Sequence, residues 1–160
     1  MGAGKTTVGQ SLSALLGVSF VDLDARIVQR EERSIASIFA EEGEDYFRDC
    51  ETALLEELKE GPIAIYATGG GLVVRDVNRK VMASMGRVVY LQASWPTLQK
   101  RLQNSVDRPL VDQGKGWSDL KNLWDKRQEF YSEADIIIQT DGLSPAEVAR
   151  TIACELSFKE

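Results

Sequence analysis

The first residues of the chain carry the pattern of a phosphate-binding loop. Gly2-Ala3-Gly4-Lys5-Thr6-Thr7 matches the closing half of G-x-x-x-x-G-K-[ST], whose first glycine would precede residue 1. In such loops the backbone N–H groups approach a phosphate, lysine reaches the β- and γ-phosphates, and the threonine hydroxyl binds Mg²⁺. Residues 8–16 are typical of a helix, so the anion would lie at a helix N-terminus. We therefore expect a nucleotide site here, the alternative being a flexible terminus with an incidental lysine.

Two carboxylates follow the next apolar stretch. Residues 18–21 predict a short buried strand, and Asp22 and Asp24 stand at its carboxyl end. Side chains two residues apart in a strand point to the same face, so both acids are predicted to share one site. Such groups can hold Mg²⁺ through oxygen or accept a proton from a hydroxyl. For Asp24, capping of the helix that follows is an equal alternative.

Two arginines could recognise an anionic substrate. Arg48 belongs to a predicted helix over 44–59, and Arg127 to one over 118–132. A guanidinium group matches a carboxylate with two parallel hydrogen bonds, which lysine cannot reproduce. Arg48 also stands four residues after Glu44 and three before Glu51, so ion pairs on a helix surface would explain it equally well.

A run of three glycines, 69–71, directly follows a second predicted strand over 62–68. Without Cβ atoms these residues let a ligand approach the backbone closely, although a loose turn is the alternative. Two further apolar runs, 88–91 and 135–140, predict strands, and helical periodicity fills the intervals. Apolar strands alternating with helices predict a three-layer α/β/α fold with a parallel sheet. Ligands of such sheets bind at the carboxyl ends of the strands, where the acids and glycines lie.

Composition narrows the class of protein. The 160 residues suit a single domain, 1–160, and no apolar run reaches the length of a membrane span. Twenty-five acidic residues against 19 basic ones give a net charge of −6, which opposes general binding to nucleic acid or membranes. The absence of histidine excludes imidazole catalysis. Cys50 and Cys154 are too few for a disulfide scaffold, so we expect free, buried thiols and a cytoplasmic protein.

Taken in order, these features resemble the shikimate kinase family over nearly the whole chain. The resemblance rests on residues 2–7, 20–24 and 34–39, Gly43-Glu44 with Phe47-Arg48 and Glu51, residues 69–71, Arg108-Pro109-Leu110, and Arg127 before Tyr131. It implies a P-loop kinase of the nucleoside-monophosphate-kinase type. Such an enzyme transfers the γ-phosphoryl of ATP to the 3-hydroxyl of shikimate with Mg²⁺, in aromatic amino-acid (chorismate) biosynthesis. It also implies a monomer whose ligands are shikimate and ATP.

The resemblance assigns roles residue by residue. The implied catalytic residues are Asp24 as the base, Lys5 and Arg108. The implied substrate ligands are Asp24, Arg48, Gly69, Gly70, Gly71 and Arg127, and the implied nucleotide ligands are Gly2, Ala3, Gly4, Lys5, Thr6, Thr7, Arg101 and Arg108. Mg²⁺ would be held by Thr6 and Asp22. A lid is expected at about 109–123, and substrate-binding helices at about 25–60.

One departure from the family is expected to matter. In the family a central strand precedes the P-loop, and this sequence has no such strand, so Met1 is expected to be an internal methionine of a longer protein. Loss of about five buried residues would remove roughly 10 kcal/mol, comparable to the whole stability of a domain. We expect a disturbed sheet centre and weak ATP binding. The alternatives are another small-molecule P-loop kinase, such as a gluconate kinase, and a nucleotide-binding module inactivated by truncation.

Overall fold

The computed structural model describes residues 2–103 and 116–157, in which four strands alternate with helices as predicted. The elements in chain order are α1 Lys5–Leu16, β1 Ser19–Asp22, α2 Leu23–Glu31, α3 Ile35–Glu41, α4 Gly43–Lys59, β2 Ala64–Ala67, α5 Asp76–Met85, β3 Val89–Gln92, α6 Trp95–Gln103, α7 Trp117–Tyr131, β4 Ile136–Gln139 and α8 Pro145–Ser157. A 3₁₀ turn, Leu72–Val74, follows the three glycines.

Local sequence explains several helix ends. α1 ends at Gly17, whose φ of 67° is left-handed and whose N–H donates to the Ser13 carbonyl. α3 begins after Ser34, whose hydroxyl accepts a hydrogen bond from the Ser37 N–H at 3.1 Å. α8 begins with a capping box, in which the Ser144 N–H donates to the Glu147 carboxylate at 2.8 Å. Short-range signals therefore decide where these helices start and stop.

The strands form two parallel pairs. β1 pairs with β2, and β3 pairs with β4, each over four residues. One apolar core lies where α1 packs against α8 and the second pair, with Leu12, Leu91 and Ile152 among its members. The other core joins α2, α4 and α5 around Leu23 and Leu54. Val21 of β1 and Tyr66 of β2 pack against this second core, whereas Ile65 of β2 packs against the first.

The centre of the predicted sheet is open. Among the described residues β2 and β3 do not pair, and a cavity of about 530 Å³ lies between them. Apolar side chains of α1, β2, β3 and α8 line it, including Leu12, Ile65, Leu91 and Ile152. Within 2–103 and 116–157, no helix combines the length and apolar character needed to cross a membrane.

The prediction for the cysteines is partly wrong. Both thiols are free, but Cys154 is exposed and Cys50 is only half-buried. The buried face of α8 carries Val148, Ala149 and Ile152. Because successive helix residues are rotated by about 100°, Cys154 falls on the opposite side of the helix from Ile152. The apolar residues near Cys154 in sequence, Ile152 and Leu156, therefore do not indicate that Cys154 is buried.

Candidate functional site

The P-loop motif, residues 2–7, leads directly into α1. Gly4 caps this helix with a φ of 85°, and Gly2 has a φ of 60°, so both occupy the left-handed region that favours glycine. α1 then begins at Lys5 and runs for 12 residues, which places the positive end of its dipole at this loop. Arg101 of α6 lies beside the loop, since its Nη1 donates to the Gly2 carbonyl at 3.4 Å. Arg101 and the P-loop, which were both predicted to bind the nucleotide, are therefore adjacent.

The two residues predicted to hold Mg²⁺ are in direct contact. The Thr6 hydroxyl donates to Asp22 Oδ2 at 2.8 Å, and Asp22 Oδ1 accepts from the Ala25 N–H at 3.1 Å. A hydroxyl and a carboxylate oxygen at a phosphate loop fit Mg²⁺, which uses few protein ligands and completes its shell with phosphate and water. Consistent with that sparse coordination, the described residues contain no cluster of three or more His, Cys, Asp or Glu side chains suited to a metal.

The placement of the two acids on one strand is wrong. β1 ends at Asp22, which caps α2, and Asp24 lies in the first turn of that helix. The helix α2 starts here because the Asp22 carboxylate accepts a hydrogen bond from the backbone N–H of Ala25. The same-face argument therefore does not apply. The capping role considered for Asp24 belongs to Asp22.

Arg48 is held by two glutamates of its own helix. Its Nη1 donates to Glu51 Oε2 at 2.6 Å, and its Nη2 donates to Glu44 Oε1 at 2.9 Å. The Arg48 side chain is 11% exposed and Glu51 only 1%, whereas Glu44 is 62% exposed. The pair with Glu44 is the surface contact that the spacing predicted. The pair with Glu51 is buried, where a charged group depends on its partner.

Burial sets the electrostatics of this pair. Removal from water raises the pKa of Glu51, against the lowering effect of Arg48 and, more weakly, Arg127, while Asp24 raises it further. Burial alone would lower the pKa of Arg48, but Glu51 and then Glu44 outweigh it and the net change is upward. Asp24, Glu51 and the two arginines therefore share one electrostatic environment.

The glycine run packs directly against these charged side chains. A Cβ atom built on Gly69 would lie 2.7 Å from Asp24 Oδ1 and 2.9 Å from Glu51 Oε1. A Cβ atom on Gly71 would overlap the Arg48 guanidinium group. These separations are shorter than real Cβ contacts, so a side chain at either position would have to displace the charged groups. Gly70 and Gly71 lie in a turn that follows β2, in which the Leu72 N–H donates to the Gly69 carbonyl at 3.3 Å.

Helix α7 brings the second arginine to the same place. Arg127 is 8% exposed, and its Nε has no hydrogen-bond partner among the described residues. One turn later, the Tyr131 hydroxyl donates to the Gly70 carbonyl at 2.7 Å. A buried donor without a partner is costly, and such donors are often completed by a ligand. α7 thus presents one guanidinium group to the site and contacts its glycine segment.

Some predicted residues lie outside the described part of the chain. Arg108 falls there, as do residues 109–115 of the expected lid, whereas residues 117–123 form the start of α7. Glu51 and Tyr131 also belong to the site, although the sequence analysis assigned no role to either residue. The i,i+3 spacing of Arg48 and Glu51 was a visible signal, but nothing local could reveal the contact between Tyr131 and Gly70.

Comparison with known proteins agrees with this arrangement. The family model described as shikimate kinase matches residues 1–157. A shikimate kinase of Chromobacterium violaceum is 45% identical over 141 residues, covering 88% of this chain and 77% of the relative. A shikimate kinase of Dictyoglomus turgidum is 39% identical over 153 residues, covering 92% and 88%.

Solved structures give the same result. The shikimate kinase of Acinetobacter baumannii in complex with shikimate superposes with a TM-score of 0.93 at 37% identity, covering 99% of this chain and 90% of that one. The enzyme of Bacteroides thetaiotaomicron superposes with a TM-score of 0.89 at 32% identity, covering 98% and 94%. With a P-loop motif at one side of its site, and the buried Arg127 and the half-buried Arg48 at a glycine segment on the other, the chain belongs to the shikimate kinase family.

Proposed function

We propose that this chain transfers the γ-phosphoryl group of ATP to the 3-hydroxyl of shikimate. The observation that carries the proposal is the burial of Arg127 next to the Arg48–Glu51 pair. The Nε of Arg127 has no hydrogen-bond partner among the described residues. Two neighbouring guanidinium groups, one buried and one half-buried, suit a carboxylate. A ring bearing a carboxylate and several hydroxyls also suits the neighbouring Asp24 and a glycine run, whose backbone carries no Cβ atoms.

On the acceptor side, Arg48 and Arg127 bind the carboxylate of shikimate. Gly69, Gly70 and Gly71 approach its ring, and Asp24 accepts the proton of the 3-hydroxyl as that oxygen attacks. The new bond forms between this oxygen and the γ-phosphorus, the bond from the γ-phosphorus to the β-γ bridging oxygen breaks, and ADP leaves with that oxygen. The proton passes to Asp24. Closeness of Asp24 to Gly69 and Glu51 supports its assignment to this side.

On the nucleotide side, the phosphates bind at the N-terminus of α1, between Lys5 and the backbone of residues 2–7. Thr6 and Asp22, already in contact at 2.8 Å, would hold Mg²⁺. When bound, this ion neutralises phosphate charge. Arg101 contacts the loop at Gly2 and would border the nucleotide. Arg108 is assigned to close over the transferring group, which rests on the family pattern alone.

The test is a coupled assay of ADP release with shikimate, gluconate or a nucleoside monophosphate as acceptor. We expect turnover with shikimate only, and its absence would overturn the proposal. Arg127→Ala should raise the KM for shikimate about 10- to 100-fold, because a charged hydrogen bond contributes about 1.5–3 kcal/mol. Arg150→Ala is the matched control, since Arg150 is exposed on α8 and should leave the KM unchanged.

We also expect the enzyme to act as a monomer in the cytoplasm. The two free thiols support a reducing compartment, where disulfides are rare. Light scattering after size exclusion measures the oligomeric state. A mass of twice 17.7 kDa or more would contradict the monomer.

A further inference from the structure

We propose that Tyr131 is a positioning residue for the substrate site, which directs the Gly71 N–H by holding the Gly70 carbonyl. The inference rests on the proposed function, because it assigns that N–H to the substrate. It concerns a side chain that does not itself touch the substrate. Its hydroxyl acts on the glycine segment through the Gly70 carbonyl, and it also contacts the Arg127 side chain.

The contact itself is short and sheltered. The Tyr131 hydroxyl donates to the Gly70 carbonyl at 2.7 Å, across 61 positions of sequence. Burial raises the pKa of Tyr131 above its ordinary value, against the lowering effect of Arg127. The hydroxyl therefore keeps its proton at neutral pH and always acts as a donor to this carbonyl.

Peptide geometry carries the effect to Gly71. The peptide bond that joins Gly70 to Gly71 is trans, as are the others described, and it is planar. In a trans peptide the carbonyl and the N–H point in opposite directions. Fixing the Gly70 carbonyl toward Tyr131 therefore directs the Gly71 N–H away from α7. A Cβ atom built on Gly71 would meet the Arg48 guanidinium group, so Gly71 lies beside that arginine.

Glycine composition makes such an external hold necessary. A peptide between two glycines can rotate with little steric cost, because neither neighbour has a Cβ atom. A side chain at Gly69 or Gly71 would displace Asp24, Glu51 or Arg48, so glycine leaves these charged groups in place. A hydrogen bond from outside the glycine segment can fix the orientation of this peptide without placing a side chain next to Asp24, Glu51 or Arg48.

Neighbouring residues hold the Tyr131 ring in position to donate to the Gly70 carbonyl. Its ring stacks on Tyr90 of β3, with centroids 4.9 Å apart and planes inclined by 21°. The Tyr90 hydroxyl donates to the Gln128 side chain at 3.3 Å, one turn before Tyr131 on α7. Arg127 stands on the same helix. A single rigid element thus positions one arginine directly and the glycine peptide through Tyr131.

Equilibrium titration of shikimate and of ATP tests the inference without requiring turnover. Tyr131→Phe keeps the stacked ring and removes the donor, and it should weaken shikimate binding about 3- to 10-fold with ATP binding unchanged. Tyr90→Phe is the matched control. It removes a hydroxyl from the other ring of the same stack, one that does not reach the glycines, and should change both affinities by less than about twofold.

Each other outcome is decisive. Equal shikimate affinities for the two variants would overturn the role of Tyr131 and leave the proposed function intact. Loss of ATP affinity in parallel with shikimate affinity, or failure of only Tyr131→Phe to fold, would mean that the bond is merely structural and would also overturn it. A wild-type chain that binds ATP but no shikimate would overturn the proposed function together with this inference.

Discussion

Replacing Gly71 by alanine tests how the substrate side of the site is packed. The backbone at Gly71 has a φ of −94°, which alanine adopts freely, so the substitution introduces no backbone strain. Its methyl group would overlap the Arg48 guanidinium group, which must then move. That movement breaks the 2.6 Å bond to Glu51, a carboxylate that is 1% exposed and cannot recover water in exchange.

The expected loss follows from two opposing effects. A hydrogen bond between charged groups contributes about 1.5–3 kcal/mol. Replacing glycine by alanine at a permitted φ returns about 0.4–1 kcal/mol by restricting the unfolded chain. We therefore expect Gly71→Ala to lower the free energy of unfolding by roughly 0.5–2.5 kcal/mol at neutral pH, measured by urea denaturation.

The loss should depend on pH with a definite sign. Burial already raises the pKa of Glu51 in the folded protein, so its contribution to stability is present below the unfolded pKa and fades as pH rises through the folded value. Without Arg48 the folded pKa rises further, and ionisation of Glu51 costs more. The deficit of Gly71→Ala should therefore be larger at pH 8 than at pH 5.

A double-mutant cycle isolates the cause. In an Arg48→Ala background there is no guanidinium group to displace, so Gly71→Ala should be neutral or slightly stabilising there. The same destabilisation in both backgrounds would refute the steric argument. A deficit that is equal at pH 5 and pH 8 would refute the part assigned to Glu51.

Four further predictions address the remaining parts of the molecule. Asp24→Asn should lower kcat strongly with little change in ATP affinity, and an unchanged kcat would remove Asp24 from the role of base. Thr6→Val should weaken ATP binding about tenfold in the presence of Mg²⁺ and hardly at all in EDTA, as measured by calorimetry. An equal loss of ATP affinity under both conditions would contradict the role of Thr6 in binding the metal. Leu12→Ala, at a core position that is 5% exposed, should cost about 2–5 kcal/mol in urea denaturation, and a change under about 0.5 kcal/mol would contradict its burial. An apolar five-residue extension before Gly2 should enter the cavity between β2 and β3 and raise the melting temperature, whereas a Gly/Ser extension of equal length should not; equal melting temperatures would refute this.

Much of the fold was predictable because its signals are local. The order of strands and helices follows from apolar runs that alternate with helical periodicity. The prediction that Asp22 and Asp24 share one face of a strand shows the limit. A local hydrogen bond from the Ala25 N–H to the Asp22 carboxylate starts α2 there instead. Strand and cap signals overlap there, and periodicity alone could not decide between them.

Cys154 shows a similar limit for burial. Ile152 and Leu156, two residues to either side, are apolar, yet Cys154 is exposed, because the packing of α8 against α1 determines which side of the helix is covered. A helix offers several apolar residues, and only its partner determines the buried stripe.

By itself the sequence determined which chemical groups are available and in what order, because motif spacing and periodicity are properties of neighbouring residues. It indicated a phosphate loop at residues 2–7, acids after a strand, two candidate arginines and a glycine run. Only the tertiary structure decided which of these groups meet. It buried Glu51 against Arg48, pressed Gly71 onto that arginine, and joined Tyr131 to Gly70. Such contacts depend on how α4, α7 and the segment after β2 pack together, and spacing along the chain carries no record of that packing.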